Sequence, residues 1–174
     1  MTATSTSTDV CVDTCVLVNF AIVGRIDLIV QIKQFVFHAP QEVVDEVTVV
    51  AQRKLLDEAL ASGALKKTEL RDVLELARFA EYSQTFGRGE SACLAMAACR
   101  GWVFATDESK DKRLKKEIEA SKVRIINTPG LLLKAIQNDV LSVSEADAIK
   151  AVLEQNRFKM DFGSFQEFVG GPSA

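Results

Sequence analysis

Four acidic residues have the types and positions to do chemistry: Asp13, Glu46, Glu90 and Asp107. Asp13 closes the apolar run Val10-Cys11-Val12, and Asp107 follows Trp102-Val103-Phe104-Ala105 with only Thr106 between. Each run reads as a short buried strand, so two carboxylates are expected at two strand C-termini. Glu46 and Glu90 fall in the first turns of segments with helical spacing. In an open α/β sheet, ligands bind in the crevice outside the carboxyl ends of the strands, so acids placed there are candidates for one shared site. Clustered carboxylates repel unless something positive sits between them, and oxygen-only donors suit hard divalent ions such as Mg2+ or Mn2+. Such an ion would polarise a phosphate, lower the pKa of a bound water and orient an in-line attack. No protein nucleophile is then required. His38 is the only histidine, and it has no evident partner for a Ser/His/Asp or Cys/His arrangement.

The elements that must position these acids alternate along the chain. A strand over Val10–Asp13 hands over, with Thr14 as cap, to a helix from Cys15, and a second short helix spans Ile26–Ile32. Phe35–Ala39 is aromatic and β-branched and stops at Pro40, which predicts a strand. Val43, Val44, Val47, Val50, Ala51, Leu55, Leu56 and Ala59 predict one helix from Gln41 to about Ser62, with Glu42, Asp45 and Glu46 where the helix dipole favours anions. Ala64–Glu69 holds a short extended piece. Helical period returns over Leu70–Tyr82 through Val73, Leu74, Leu76, Ala77 and Ala80. Phe86-Gly87-Arg88-Gly89 reads as a turn before the small-residue helix Glu90–Cys99, stopped by Gly101. Trp102–Ala105 is a strand, Asp107–Glu119 a charged helix, Val123–Ile126 a strand and Pro129–Asn138 a helix. Ser144 opens a last helix to Asn156. Short apolar strands alternating with helices predict a parallel sheet covered on both faces.

At 174 residues, 48% apolar and 26% charged, the chain suits a single soluble domain. No apolar run approaches the ~20 residues of a membrane helix, and the N-terminal Thr/Ser stretch has neither the basic nor the apolar region of a signal peptide, so a cytoplasmic address is expected. Cys11, Cys15, Cys93 and Cys99 lack the paired short spacings of zinc sites and read as reduced, buried small hydrophobes. The net charge of −3 argues against nucleic-acid binding by bulk electrostatics but leaves room for a local basic rim. The candidates are Lys110, Lys112, Arg113, Lys115 and Lys116, then Arg53 with Lys54, Lys66 with Lys67, and Arg88. The Phe-rich stretch from Phe158 has too many aromatics for a solvated end and is expected to dock on the body or on a second subunit.

Four segments carry a family resemblance: Val12-Asp13-Thr14-Cys15-Val16-Leu17-Val18-Asn19-Phe20, Ala39-Pro40-Gln41-Glu42-Val43-Val44-Asp45-Glu46-Val47, Gly87-Arg88-Gly89-Glu90-Ser91-Ala92, and Ala105-Thr106-Asp107-Glu108. In this order the chain resembles the PIN-domain nucleases, which include the VapC-type toxins of toxin–antitoxin pairs. The resemblance implies a three-layer α/β/α sandwich around a central parallel sheet and a Mg2+- or Mn2+-dependent ribonuclease site. It assigns the acidic site to Asp13, Glu46, Glu90 and Asp107, with Asp13, Asp107 and Glu90 as metal ligands. Thr14, Asn19 and Thr106 would orient carboxylates or phosphate, with Glu108 and Asp111 close by. Arg88, Lys110, Lys112 and Arg113 would form the RNA rim. Many PIN domains carry a further acid two residues after the last aspartate, where this chain has Ser109; Glu108 and Asp111 are the nearest substitutes. The chain is also longer than the compact toxins. Residues 1–8 are expected as a flexible tail, 9–140 as the nuclease domain and 141–174 as a helical extension packed on it.

The partners this implies are an RNA substrate, an antitoxin protein and a second copy in a homo-oligomer. A different reading is a PIN-like binding or assembly module whose acids no longer catalyse. A response-regulator receiver would need a paired acid near the first strand and a lysine after a later one, and neither is evident. A haloacid-dehalogenase phosphatase would need a second aspartate where Cys15 stands.

Overall fold

The computed structural model describes residues 7–108 and 110–169. Most of the Thr/Ser-rich start, Ser109 and the Gly170–Ala174 end lie outside the described residues. The strands β1 (Thr8–Val12), β2 (Phe35–Pro40), β3 (Lys66–Thr68), β4 (Val103–Ala105) and β5 (Arg124–Ile126) form one parallel sheet in the order β3-β2-β1-β4-β5. The chain builds outward from β1 through β2 to β3, then returns to lay β4 and β5 on the other side of β1. The strand order therefore reverses at the C-terminal end of β1, the point where a crevice opens in such sheets. Val12 pairs with Ala105 in register, the Asp13 N–H donates to Ala105 O (2.9 Å), and the Thr106 N–H donates to Ile126 O (2.9 Å). These bonds bring Asp13, Asp107 and Thr128 out along one edge of the sheet.

Among the described residues ten helices accompany the strands: α1 (Thr14–Ile22), α2 (Asp27–Gln31), α3 (Gln41–Glu46), α4 (Val50–Ala61), α5 (Val73–Tyr82), α6 (Arg88–Arg100), α7 (Lys112–Ser121), α8 (Thr128–Gln137), α9 (Val143–Gln155) and α10 (Gln166–Val169). They cover the sheet to give the expected three-layer α/β/α sandwich. Helix α6 crosses β1, β2 and β4 and touches α3 and α5. Its run from Ser91 to Ala97 is wholly buried, and its small residues let it lie close to the sheet. Gly101 ends it in the left-handed region at φ 69°, where glycine carries no Cβ penalty.

Several boundaries differ from expectation. The single helix over 41–62 is two, broken at Val47–Val49. The run Val47-Thr48-Val49-Val50 is β-branched throughout, which weakens a helix, and Val47 turns into the core while Val49 and Val50 face out. Asp13, not Thr14, caps α1, accepting from the Thr14 N–H at 2.8 Å. Helix α6 starts at Arg88, inside the expected turn, with Gly87 as its cap. Helix α7 starts at Lys112 rather than Asp107, because Asp111 caps it by accepting from the Arg113 and Leu114 N–H groups at 2.7 and 3.3 Å. Ser142 caps α9 through a reciprocal bond with Glu145.

Helix α5 is turned against the expectation from its periodicity. Its core side carries Glu75 and Tyr82, while Val73, Leu74 and Leu76 face outward. The buried Glu75 carboxylate is bound by both sides of the Arg100 fork, through Nε and through Nη2 at 2.8 Å. Arg100 in turn lies over the Trp102 ring, 4.7 Å from its centroid. The Phe-rich stretch does dock on the body: Met160 and Phe165 join the core, and Asp147 accepts from the Ser164 hydroxyl (2.6 Å) and the Phe165 N–H (2.9 Å). The cysteines are all free, but only Cys11 and Cys93 are fully buried. Cys99 is exposed at the end of α6, and Cys15 lies at the edge of a cleft.

Candidate metal centre and active site

A cleft of about 410 Å³ opens at the C-terminal end of β1, lined by Asp13, Glu46, Glu90, Glu108 and Asp111 together with Thr14 and Cys15. The five acids arrive from four elements: Asp13 from the end of β1, Glu46 from the last turn of α3, Glu90 from the first turn of α6, and Glu108 and Asp111 from the segment between β4 and α7. Asp13 is 5% exposed. Its carboxylate accepts from the Thr14 N–H (2.8 Å), the Cys15 thiol (3.3 Å) and the Thr106 hydroxyl (3.4 Å). Burial nonetheless pushes its pKa up to about 6, with the Glu46 charge adding to the rise. Glu90 is pushed up to about 7, by burial first and then by the charges of Asp13, Glu108, Asp111 and Glu46.

Glu46 is held from two sides. The Thr14 hydroxyl donates to one of its oxygens and the Gly89 N–H donates to the other at 2.7 Å. This explains the glycine before Glu90: a Cβ at residue 89 would lie 2.5 Å from Glu46 Oε2 and 3.0 Å from Thr14 Oγ1. The Gly-Glu pair thus brings the first turn of α6 onto the end of α3 and presents Glu90 beside Glu46.

Asp107 stands apart from the other three acids of the sequence-based set. It does not line the cleft. Its Oδ1 accepts from the Thr128 N–H (2.8 Å), and its Oδ2 accepts from the Thr128 hydroxyl (2.6 Å) and from Asn19 Nδ2 (3.0 Å). Burial raises its pKa against those three bonds. Its own N–H points to Cys15 Sγ at 3.4 Å, so the thiol ties the Asp13 side of the site to the Asp107 side. Sequence reading missed Cys15 and Thr128. The signal for Thr128 was present, since it stands two residues after β5 as Asp107 stands two residues after β4.

Of the basic residues expected at the rim, Arg113 pairs with Asp111 (3.2 Å) and Lys110 with Asp161 (3.3 Å). Arg88 lies over the Phe79 ring, 5.4 Å from its centroid, and Lys112 is exposed at the start of α7.

Asp13, Glu46, Glu90 and Glu108 make no ion pair with Lys, Arg or His among the described residues. Asp13 and Glu90 have raised pKa values, and acids gathered without a cationic partner make a site whose charge favours a cation. The donors are all oxygen, which fits a hard divalent ion rather than zinc. As the side chains stand, no three His, Cys, Asp or Glu among the described residues are grouped closely enough to hold one. Ligation therefore requires acid side chains of the site to move closer together.

A parallel α/β/α sandwich with carboxylates gathered at its switch point defines the class: an α/β protein with an acidic cleft at the C-terminal edge of its sheet. Residues 9–167 match the DUF3368 family, described as a PIN domain. The chain belongs to that family. PIN domains are generally nucleases, act on nucleic acid and typically use divalent metals. No curated protein matches the chain.

Proposed function

We propose that the protein is a Mg2+- or Mn2+-dependent endoribonuclease that hydrolyses phosphodiester bonds of single-stranded or looped RNA, whose bases can leave the stack. The observation that carries this is the buried Asp13 at the switch point, in one cleft with Glu46, Glu90 and Glu108 and with no basic side chain among the described residues paired to any of them. When bound, a divalent ion supplies Lewis-acid polarisation of the phosphate and acidifies the attacking water. Asp13 and Glu90 hold it in this reading, with Asp107 as the third ligand. Asp107 Oδ1 accepts one bond, and a carboxylate oxygen has two acceptor sites, so a site remains for an ion or its water. Asn19 and Thr128 fix the direction of Asp107, while Thr14 and Gly89 fix Glu46. Arg88, Lys110, Lys112 and Arg113 give the substrate backbone positive charge next to the acids. Residues 9–140 form the catalytic body, and the extension expected over 141–174 is held on it through its described residues, 141–169.

The test is cleavage of a single-stranded RNA by purified protein with Mg2+ or Mn2+, quenched by chelator. Asp13→Asn and Asp107→Asn should each abolish cutting while leaving circular dichroism unchanged; full activity in both variants refutes the assignment. A second reading, a PIN-like binding module without catalysis, is favoured by Asp107 turning both oxygens toward Asn19 and Thr128. It predicts no metal-dependent cleavage by the unaltered protein. Within the nuclease reading, a role as a cytoplasmic toxin restrained by an antitoxin protein predicts growth arrest on expression, relieved by Asp13→Asn.

A further inference from the structure

We propose that a groove between β3 and the C-terminal end of α6, lined by Lys66, Lys67, Thr68 and Arg71, holds phosphates of the RNA strand that flanks the acidic cleft. The identity of the ligand rests on the nuclease reading, whereas the groove's preference for a polyanion does not. The concavity measures about 490 Å³ and shares no lining residue with the acidic cleft. Among the described residues that line it, Glu69 is the only acid. Lys66 and Lys67 are exposed on the edge strand β3, and neither makes an ion pair among the described residues. Arg71 meets Glu69 at 3.7 Å, with the two side chains 81% and 57% exposed, a pairing that water screens and that holds the guanidinium only weakly.

Arg100 builds the wall of the groove. Glu75 takes its Nε and Nη2, while Nη2 also donates to Glu69 O (2.9 Å) and Nη1 donates to Thr68 Oγ1 (3.2 Å). Thr68 is thereby fixed as an acceptor toward Arg100, which leaves its hydroxyl hydrogen for a ligand oxygen. The Trp102 ring carries Arg100 and stacks with the His38 ring at 4.2 Å between centroids. Both aromatic groups are already engaged, so the groove offers a ligand charge and hydrogen-bond donors, the means by which backbone phosphates rather than bases are held. The local field agrees: burial first, then the charges of Lys66 and Arg100, hold the His38 imidazole below its ordinary pKa against its bond to Asp9. Such a positive concavity on a chain of net charge −3 concentrates polyanions locally.

Position selects RNA among polyanions. Glu90, in the first turn of α6, lines the cleft, and Arg100, ten residues further on, lines the groove. The two ends are about 15 Å apart along the helix axis, so a strand seated at the cleft can reach the groove. The cleft itself is acidic and repels phosphates, and the backbone must find its counter-charge beyond it. Lysines on an edge strand also deter edge-to-edge pairing, a role that requires neither Arg71 nor Thr68 nor a concavity.

Trp102 is the chain's only tryptophan, so its emission reports on this groove. Titrating the full chain in chelator with oligouridine should change that emission saturably. Lys66→Glu combined with Lys67→Glu should weaken binding about tenfold and lower its salt slope by about 1.4, the share of two phosphates on a single strand. Arg71→Glu should weaken binding as well. Glu69→Gln should tighten it, a gain that misfolding cannot produce. Arg124→Glu makes the same charge change as Arg71→Glu at an exposed position of β5, the opposite edge strand, and should bind like the unaltered protein. No Trp102 response, or an equal loss in Arg124→Glu, overturns the groove. Aggregation of the lysine variant with unchanged affinity overturns it in favour of edge protection. Displacement of oligouridine by poly-L-glutamate at equal charge concentration overturns RNA in favour of an acidic protein segment. An intact Trp102 response without metal-dependent cleavage supports the groove and overturns the nuclease reading alone.

Discussion

Replacing Asp13 by asparagine should make the metal-free protein more stable at neutral pH. Asp13 is 5% exposed, and burial raises its carboxyl from an ordinary value of 3.8 to about 6. A group whose folded pKa lies above its unfolded one binds more protons in the folded state, so its ionisation opposes folding. That penalty is absent below about pH 4, grows as pH rises to 6, and is complete above. At about 1.4 kcal/mol per pH unit of displacement it reaches about 3 kcal/mol. Asparagine removes the charge and keeps an acceptor for the Thr14 N–H at the helix cap, where Asn and Asp serve equally well. It loses part of the hydrogen bonding from Cys15 and Thr106, so a net gain of about 1–2 kcal/mol is expected after a typical bond is discounted. In a domain of this size that corresponds to roughly 2–8 °C in Tm. The assay is thermal unfolding by circular dichroism in chelator, at pH 7.5 and at pH 4. The variant should unfold at higher temperature at pH 7.5, with the difference vanishing at pH 4. Adding Mn2+ should raise the Tm of the unaltered protein and leave the variant's largely unchanged. A variant less stable at pH 7.5, or a difference indifferent to pH, would refute the assignment of Asp13 as a destabilised site acid.

Other outcomes follow from the same geometry. Gly89→Ala should displace Glu46 and cut RNA cleavage at least tenfold with a much smaller effect on Tm, because the added Cβ would meet Glu46 Oε2 at 2.5 Å; wild-type activity would show that Glu46 is dispensable. Arg100→Ala should lower unfolding free energy by about 3 kcal/mol, as expected when one partner of a buried ion pair is removed, measured by urea denaturation. The Arg100 guanidinium beside Glu75 holds that carboxyl down at about 2. Its contribution is therefore fully present above about pH 4.5 and is lost as pH falls toward 2, so the two proteins should converge in stability only in strong acid. Lys112→Ala should weaken RNA binding and flatten its salt dependence by about one counterion, read by fluorescence anisotropy at several salt concentrations.

The alternation of apolar runs with helical segments made the parallel sheet legible, because buried parallel strands such as Val10–Val12 and Val103–Ala105 have few other readings. The positions of Asp13 and Glu90 around one cleft were legible for a related reason, since strand ends and helix starts lie on one edge of such a sheet; Glu46, which ends α3 rather than beginning a long helix, reaches the cleft for a reason its spacing did not carry. The orientation of Asp107 was not, since it depends on Thr128 and Asn19, 21 and 88 residues away in sequence. Helix α5 misled for a different reason. Its apolar spacing is genuine, but the Glu75–Arg100 pair and Tyr82 outweigh it for the inner face. The break at Val47–Val49 was foreshadowed by four consecutive β-branched residues and overridden in reading by the longer apolar stripe.

The most direct measurement is a titration of the metal-free protein with Mn2+, followed by the electron paramagnetic resonance signal of the free ion. Saturable binding that disappears in Asp13→Asn and weakens in Glu90→Gln is the result expected of a carboxylate cleft that holds a divalent cation. Equal binding by all three proteins, or none by the unaltered chain, would contradict it.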